Sequence, residues 1–114
     1  MKRASKLIGF SAALVASHAA AESWVTVIDD EEYEMWAVVD KDSIRRGADN
    51  LVYFTSNNGA GKSDRAADCN SRTLYSLKLY VMGGIDYPNW RNDGRPVVSG
   101  SIGEAELQYA CANA

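Results

Sequence analysis

The chain has 114 residues, of which 46% are apolar and 24% are charged, a globular composition that excludes intrinsic disorder. The length allows one domain of ordinary size. Fifteen acidic and 12 basic side chains give a net charge of −3, so the chain is not of the basic type that binds nucleic acid or anionic lipid electrostatically.

Residues 1–21 have the pattern of a secretory signal peptide. Three basic residues precede a mostly apolar run at residues 7–16, which is about half the length needed to span a bilayer. Small residues then allow cleavage after Ala19 or Ala21. We therefore expect an exported protein whose folded domain covers residues 22–114, with no lipid-anchoring cysteine at the cleavage point and no later transmembrane segment.

Loss of this segment would change the chemistry of the chain. The segment carries three basic residues, no acidic residue and the single histidine, His18, so residues 22–114 have a net charge of −6. A domain without histidine cannot use a Ser-His-Asp or Cys-His arrangement and lacks the commonest general base and metal ligand. Catalysis of these two kinds is therefore excluded for residues 22–114, and we expect no metal site and no cofactor.

Three segments rich in β-branched and aromatic residues predict the first strands, at residues 24–28, 35–39 and 51–55. The second is apolar almost throughout, which predicts a central strand buried on both faces. The acidic run at residues 29–32 favours a solvated turn because its charges repel one another. Residues 40–47 form a tight connection between the second and third strands.

The middle of the chain alternates between turn signals and strand signals. Residues 56–64 are polar and glycine-rich, which predicts the most mobile loop of the domain. A fourth strand is expected at residues 65–70. Apolar and polar side chains largely alternate along residues 72–82. This pattern predicts a long antiparallel strand with the odd-numbered side chains on its less solvated face. Residues 85–96 contain both prolines and are expected to be irregular.

The helical period appears only near the C-terminus. Ser101 followed by Glu104 is a capping box, and good helix formers come next. One helical face would carry Gly103, Leu107, Ala110, Cys111 and Ala114. Strands followed by a helix predict an α+β fold with a small antiparallel sheet of about five to six strands.

Cys69 and Cys111 are the two cysteines, and an even count in an exported chain predicts one disulfide. The alternative is a pair of free buried thiols. The cysteines are too far apart for a redox CxxC motif, and two thiols without histidine make a poor zinc site. The bridge would pin the C-terminal helix to the strand region and stabilise the domain by about 3–4 kcal/mol.

Other motifs favour structural interpretations. Gly61-Lys62-Ser63 resembles the end of a phosphate-binding loop, but Ser56 stands where that motif requires glycine. The acidic run lacks the spacing of an EF-hand, so a solvated turn is preferred to a calcium site. No pair of acids is singled out for glycoside hydrolysis, so a histidine-free hydrolase is the least favoured function.

The tryptophans and one arginine pair are the remaining candidates for contact with a ligand. Trp24 and Trp36 lie in predicted strands, so core packing is preferred to sugar stacking. Trp90 lies in a loop and is the best placed of the three for a contact surface, with packing over the sheet edge as its expected role. Arg45 and Arg46 form a basic point suited to an acidic partner, but most exposed arginines are solvated.

A series of short motifs spans nearly all of residues 22–114. In order they are Trp24, Val39-Asp40, Asp42-Ser43-Ile44-Arg45-Arg46-Gly47, Asp68-Cys69, Arg72, Tyr80, Trp90, Ser99-Gly100-Ser101-Ile102-Gly103-Glu104 and Cys111. The series resembles the surface-adhesin protein E-like domain family of Gram-negative bacteria. The resemblance implies a small antiparallel sheet with a C-terminal helix, a bridge between Cys69 and Cys111, and no enzyme activity.

The family resemblance also implies a binding function. A member of the family is an outer-membrane lipoprotein that binds host matrix proteins, and haem binding is attributed to it as well. The present chain lacks the anchoring cysteine and, after removal of residues 1–21, any histidine. No ligand-binding residue is carried over, because the matched positions belong to strands, turns and the bridge.

We therefore expect an exported, non-catalytic binding module in the periplasm, at the cell surface or in the medium. Its partner would be a protein at the envelope or host surface, contacted through sheet-edge or loop surfaces such as residues 56–64 and 85–95. The alternative is a periplasmic inhibitor or envelope-stress module that acts on a cationic enzyme such as lysozyme, because a charge of −6 would steer the two together.

Overall fold

The computed structural model describes residues 22–114, and the expected signal peptide lies outside them. Within this range, eight strands form one antiparallel sheet and a single α-helix follows. Two short 3-10 helices, Lys41–Ser43 and Trp90–Asn92, lie in the connections. The bounds are β1 (Trp24–Asp30), β2 (Met35–Asp40), β3 (Arg45–Arg46), β4 (Val52–Asn58), β5 (Gly61–Asp68), β6 (Thr73–Leu79), β7 (Ile85–Asp86), β8 (Arg95–Pro96) and α1 (Ile102–Ala112).

The strand order is β1-β2-β4-β5-β6-β7, with β3 paired to β4 and β8 paired to β6. This arrangement confirms the expected antiparallel sheet with a C-terminal helix. The expected number of about five to six strands is too low. The additional strands β3, β7 and β8 have two residues each, so they are too short to produce a period in the sequence.

The prediction of a mobile loop at residues 56–64 is wrong. β4 continues to Asn58, β5 begins at Gly61, and the two strands form a tight hairpin. Ser56 pairs with Ser63, and both side chains are buried. Backbone hydrogen bonds between the two strands hold this segment in place. The small side chains of Ser56 and Ser63 also fit beneath the helix, and neither feature can be read from the polarity of the sequence.

α1 packs on β1, β2 and β4, with fewer contacts to β5, and covers this part of one face of the sheet. The core lies between them and consists of Val39, Val52, Phe54, Ala67, Leu74, Leu107 and Ala110. β2 is not buried on both faces as predicted, because Trp36 points away from the helix and is 44% exposed. A single helix can bury only one side of each strand, whatever the apolar content of the strand.

β6 presents a different face to the core from the predicted one. Leu74 is buried in the core, whereas Tyr75 lies on the opposite side of the sheet. The register then shifts: Arg65 pairs with Ser76 and Asp64 pairs with Lys78, which leaves one extra residue in β6. This β-bulge changes midway along β6 which side chains point toward the helix. The prediction assumed strict alternation along the whole strand and therefore placed Leu74 and Tyr75 on the wrong faces.

The start of α1 shows one half of the predicted capping box. The Ser101 hydroxyl accepts a hydrogen bond from the backbone N–H of Glu104 at 3.1 Å, as predicted. The Glu104 carboxylate accepts from the N–H of Gly100 at 2.8 Å and not from that of Ser101, which donates to the carbonyl of Val98. These contacts satisfy donors that have no partner inside the helix.

The other end of α1 carries the disulfide. Cys69 and Cys111 are bonded, with their Cα atoms 5.9 Å apart, so the expected bridge is confirmed. Leu107 and Ala110 face the core as predicted, but Ala114 lies beyond the helix and is exposed. Among residues 22–114, no helix is long and apolar enough to cross a membrane.

Candidate functional site

The face of the sheet opposite α1 presents aromatic and charged side chains, and we call it the open face. Strand pairing places alternate residues of neighbouring strands together on this side. The aromatic, charged and hydroxyl side chains on this side include Trp24, Trp36, Arg45, Tyr53, Thr55, Lys62, Asp64, Tyr75, Lys78 and Tyr80.

Asp64 is the centre of a hydrogen-bonded cluster on the open face. Its carboxylate accepts a hydrogen bond from the Thr55 hydroxyl at 2.8 Å and one from the Tyr80 hydroxyl at 2.7 Å. The hydrogen bond to Asp64, together with partial burial, raises the pKa of Tyr80 to about 12. Tyr80 therefore stays protonated at neutral pH and acts as a donor, not as a base.

A second cluster lies where the open face meets the connection after β6. Asp49 accepts hydrogen bonds from the Tyr53 hydroxyl and from the Arg91 guanidinium, the latter at 2.8 Å. The hydrogen bond from Tyr53 lowers the pKa of Asp49. Burial and the same hydrogen bond raise the pKa of Tyr53. Both groups are therefore held in the protonation states that keep the contact.

Trp90 closes this edge by packing against two tyrosines of the sheet. Its ring centroid is 5.5 Å from that of Tyr75 and 6.2 Å from that of Tyr53, both in edge-to-face geometry. Gly94 allows the chain to approach, because a Cβ atom there would lie 2.4 Å from the Tyr75 ring. Trp90 thus packs against the sheet over β4 and β6, where packing over the outer edge of the sheet was expected.

Cationic groups lie over the aromatic rings of the open face. The Lys62 ammonium is 5.2 Å from the Tyr80 ring centroid and 6.0 Å from that of Trp24. The Arg45 guanidinium is 4.8 Å from the Tyr53 ring centroid. Such contacts hold long side chains in place while their charged ends remain accessible.

A groove of about 500 Å³ lies between the 3-10 helix Lys41–Ser43 and the end of β6. Its polar lining includes Asp42, Arg45, Thr55, Asp64 and Tyr80. The groove therefore offers carboxylates, hydroxyls and the Arg45 guanidinium to a ligand. This size is within the usual range for a pocket that binds a small molecule or an inserted side chain.

The hydrogen-bonding groups of the open face are held in fixed orientations. Thr55 and Tyr80 both donate to the Asp64 carboxylate, which orients both hydroxyls. Among residues 22–114, no group of three or more histidine, cysteine or acidic side chains is close enough to hold a metal ion. The geometry instead offers pre-positioned donors, acceptors and rings.

The structure gives a mixed outcome for the predicted contact residues. The 56–64 hairpin contributes Lys62 and Asp64 to the open face, but as strand residues and not as a mobile loop. The 85–95 segment contributes Trp90 and Arg91 at the edge. The expectation of core packing is wrong for Trp36, and Trp24 is half-buried beneath Lys62.

No family model, curated protein or solved structure matches this chain. The functional conclusion therefore depends on the geometry of the site. Sequence reasoning missed Tyr53, Tyr80 and Asp64 as a group, because their proximity depends on the pairing of β4, β5 and β6.

Proposed function

We propose that residues 22–114 are an exported, non-catalytic binding module of the surface-adhesin protein E-like type, and that the open face binds a protein partner. One observation carries the proposal. The face without a helix holds tryptophan, tyrosine and arginine side chains in fixed positions while leaving them accessible.

The composition of the open face supports a protein partner. Tryptophan, tyrosine and arginine are the residues most enriched at the energetic centres of protein interfaces. Trp36 and Tyr80 are each more than 40% exposed, which is unusual for large aromatic side chains on a sheet. The hydrogen bond from Tyr80 to Asp64 fixes one of them before a partner arrives.

The disulfide supports export. Cys69 and Cys111 form a bridge with ordinary geometry, and such bridges persist in oxidising compartments. The signal-like pattern of residues 1–21 is the second argument for export. Protease treatment of intact and permeabilised cells tests the compartment, since a surface protein is digested in both samples and a periplasmic protein only after permeabilisation.

Site-specific photo-crosslinking in cells tests the binding face. A benzophenone amino acid replaces Trp36 or Tyr80 on the open face, and Gln108 on the exposed side of α1 serves as the control. The proposal expects discrete crosslinked species from Trp36 and Tyr80 and none from Gln108. Identical adducts from all three positions, or none from the open face, would contradict it.

The alternative function is inhibition of a cationic enzyme such as lysozyme, and the turn between β1 and β2 favours it. Glu31, Glu32 and Glu34 are exposed there, and Asp30 accepts backbone hydrogen bonds that shape the turn. Lysozyme activity measured with increasing salt tests this function. Inhibition that disappears at high salt and in the triple Glu→Gln variant would replace the first proposal with the second.

A further inference from the structure

A second groove lies on the helix side of the sheet, over the part that α1 leaves uncovered. It has a volume of about 520 Å³, and we call it the β6 groove. Leu74 and Ser76 of β6 form its floor, the first turn of α1 forms one wall, and the chain from Tyr87 to Val98 forms the other. The groove is on the opposite side of the sheet from the open face.

Much of the β6 groove is apolar and open to solvent. Leu74 is buried in its floor, while Val98 is 70% exposed and Tyr87 is 38% exposed at its rim. Gly103 lets the start of α1 approach β6 closely, because a Cβ atom there would lie 3.1 Å from the Leu74 side chain. A groove of this size with a partly apolar lining can hold a hydrocarbon chain.

Two arginines enter the same groove from the strands on either side of β6. Arg65 pairs with Ser76 across one edge, and Arg95 pairs with Leu74 across the other. Since Leu74 and Ser76 face the helix side, both arginine side chains start from that side as well. The groove thus combines an apolar floor with two guanidinium groups.

The two arginines differ in how their charge is balanced. Arg65 donates to the Glu106 carboxylate at 2.6 Å, and Glu106 is completely buried. The Arg65 guanidinium still has one buried N–H, on Nε, without a hydrogen-bond partner. Arg95 is exposed and takes part in none of the ion pairs found among residues 22–114. Arg95 is therefore the cation available to an incoming anion, although Asp93 also lines the groove.

The edge of β6 beside the groove is already used by the protein. β7 pairs with β6 at one end and β8 pairs with it at the other. Between them, the backbone N–H of Tyr87 donates to the carbonyl of Leu77 at 3.0 Å. An extended peptide that bound as an additional strand would need these backbone groups. A ligand that depends on side-chain contacts fits better.

We propose that the β6 groove binds a linear amphiphile with a carboxylate headgroup. The headgroup pairs with Arg95, with Arg65 beside it, and the hydrocarbon chain lies over Leu74 and Val98. A guanidinium is the side chain best suited to hold a carboxylate through two parallel hydrogen bonds. Trp90 lines this groove as well as the edge of the open face, but Arg95, Leu74 and Val98 are on the helix side. Failure of the amphiphile site would therefore leave the proposed protein-binding function untouched.

Titration calorimetry with sodium octanoate, decanoate and dodecanoate, each below its micelle concentration, tests the proposal. Each methylene that enters the groove is expected to lower Kd about fourfold, up to the length that fills the groove. Dodecanol lacks the charge and is expected to bind at least about tenfold more weakly than dodecanoate. Absence of saturable binding, or equal affinity for the acid and the alcohol, would overturn the proposal.

Three single variants locate the headgroup. Arg95→Gln is expected to weaken dodecanoate binding about tenfold while leaving dodecanol binding unchanged. Asp93→Asn removes a like charge and is expected to tighten dodecanoate binding by about two- to threefold. Arg46→Gln is the matched control, because Arg46 is exposed outside the groove, and it is expected to change neither affinity. Unchanged binding in Arg95→Gln would overturn the assignment.

Val98→Ser tests the position of the hydrocarbon chain. Val98 is largely exposed, so this change is expected to leave the fold intact and to reduce the gain per methylene. Nuclear magnetic resonance shifts on addition of dodecanoate are expected at Leu74, Val97 and Val98. Shifts confined to the open face, or binding of a peptide with a C-terminal carboxylate when dodecanoate does not bind, would reject the amphiphile.

Discussion

On the side of the sheet that α1 covers, Val52 and Phe54 of β4 are 0% and 2% exposed. On the other side, Tyr53 and Thr55 of the same strand remain partly accessible and hydrogen-bond to acidic side chains. The backbone is shared, so the difference comes from what lies above each face. The helix side stabilises the fold by excluding water, whereas the open face keeps polar groups and rings available to a partner.

The carboxylates of the two sides illustrate the same difference. Glu106 on the helix side is fully buried and is held by Arg65 at 2.6 Å and by Asn58 at 3.1 Å. Asp64 on the open face is held by hydroxyl groups of Thr55 and Tyr80. A buried carboxylate requires a charged partner, whereas a partly solvated one needs only hydroxyl donors. The two sites should therefore respond very differently to loss of a partner.

The largest expected effect is on the helix side. Arg65→Met leaves the Glu106 carboxylate buried without its cation, which should lower the free energy of unfolding by about 3–5 kcal/mol. Urea denaturation of wild type and variant measures the loss. The double variant Arg65→Met/Glu106→Leu removes both charges and should recover most of the stability. A loss below about 1 kcal/mol in the single variant, typical of an exposed pair, would remove the contrast between the two faces.

Loss of the disulfide is expected to have the next largest effect on stability. Cys69→Ser frees the end of α1 from the end of β5, and the larger entropy of the unfolded chain should lower the free energy of unfolding by about 3–4 kcal/mol. Thermal and urea unfolding under non-reducing conditions measure the loss, and wild type with a reducing agent is the control. An unchanged melting temperature would show that packing of Leu107 and Ala110 alone holds α1.

A smaller loss is expected on the open face. Tyr80→Phe removes one hydroxyl donor to Asp64 while Thr55 still donates, so the free energy of unfolding should fall by only about 0.5–1.5 kcal/mol. Thr55→Val is the matched variant and removes the other donor. Urea denaturation compares the two. A loss as large as that of Arg65→Met would mean that the Asp64 cluster is structural and not a prepared binding surface.

The contact between Tyr80 and Asp64 should also make stability depend on pH in the alkaline range. The pKa of Tyr80 is about 12 in the folded protein, against an ordinary value of 10.0. Below pH 10 the tyrosine is protonated in both the folded and the unfolded states, so its contribution is complete. Between pH 10 and pH 12 the unfolded state ionises first, so this contribution is lost as the pH rises.

The alkaline effect is measured by following tyrosinate absorbance and urea stability across this range. Asp64→Asn is the control, because it keeps an acceptor for the Tyr80 hydroxyl and removes the charge that opposes ionisation. The pKa of Tyr80 should then fall toward 10. An unchanged titration in Asp64→Asn would show that burial, and not the carboxylate, controls this tyrosine.

Much of the fold could be predicted from local patterns. The long strands, the Ser101 helix start and the bridge from Cys69 to Cys111 are found where the sequence placed them, apart from differences at strand ends. These features are encoded by neighbouring residues: β-branched runs, a capping box and an even number of cysteines. The prediction of a loop at residues 56–64 was wrong because a polar hairpin resembles a polar loop in composition.

The candidate sites could be predicted only in part. Trp90 was singled out because it stands in a polar loop, and it does lie at the edge of the open face. Glu106 and Arg65 carried no local signal, since they are 41 residues apart and each resembles a surface residue in its own segment. The side of β6 that faces the core was misassigned because one extra residue reverses the alternation.

Local sequence patterns specify the element types, the start of the helix and the presence of a disulfide, because each depends on contacts within a few residues or on the identity of two cysteines. The side of each strand that is covered depends instead on how distant segments pack together. A single helix buries one side of the sheet and leaves the other open, and the register between strands brings Tyr53, Asp64 and Tyr80 together. Both outcomes depend on pairing between distant segments, which local periodicity does not encode.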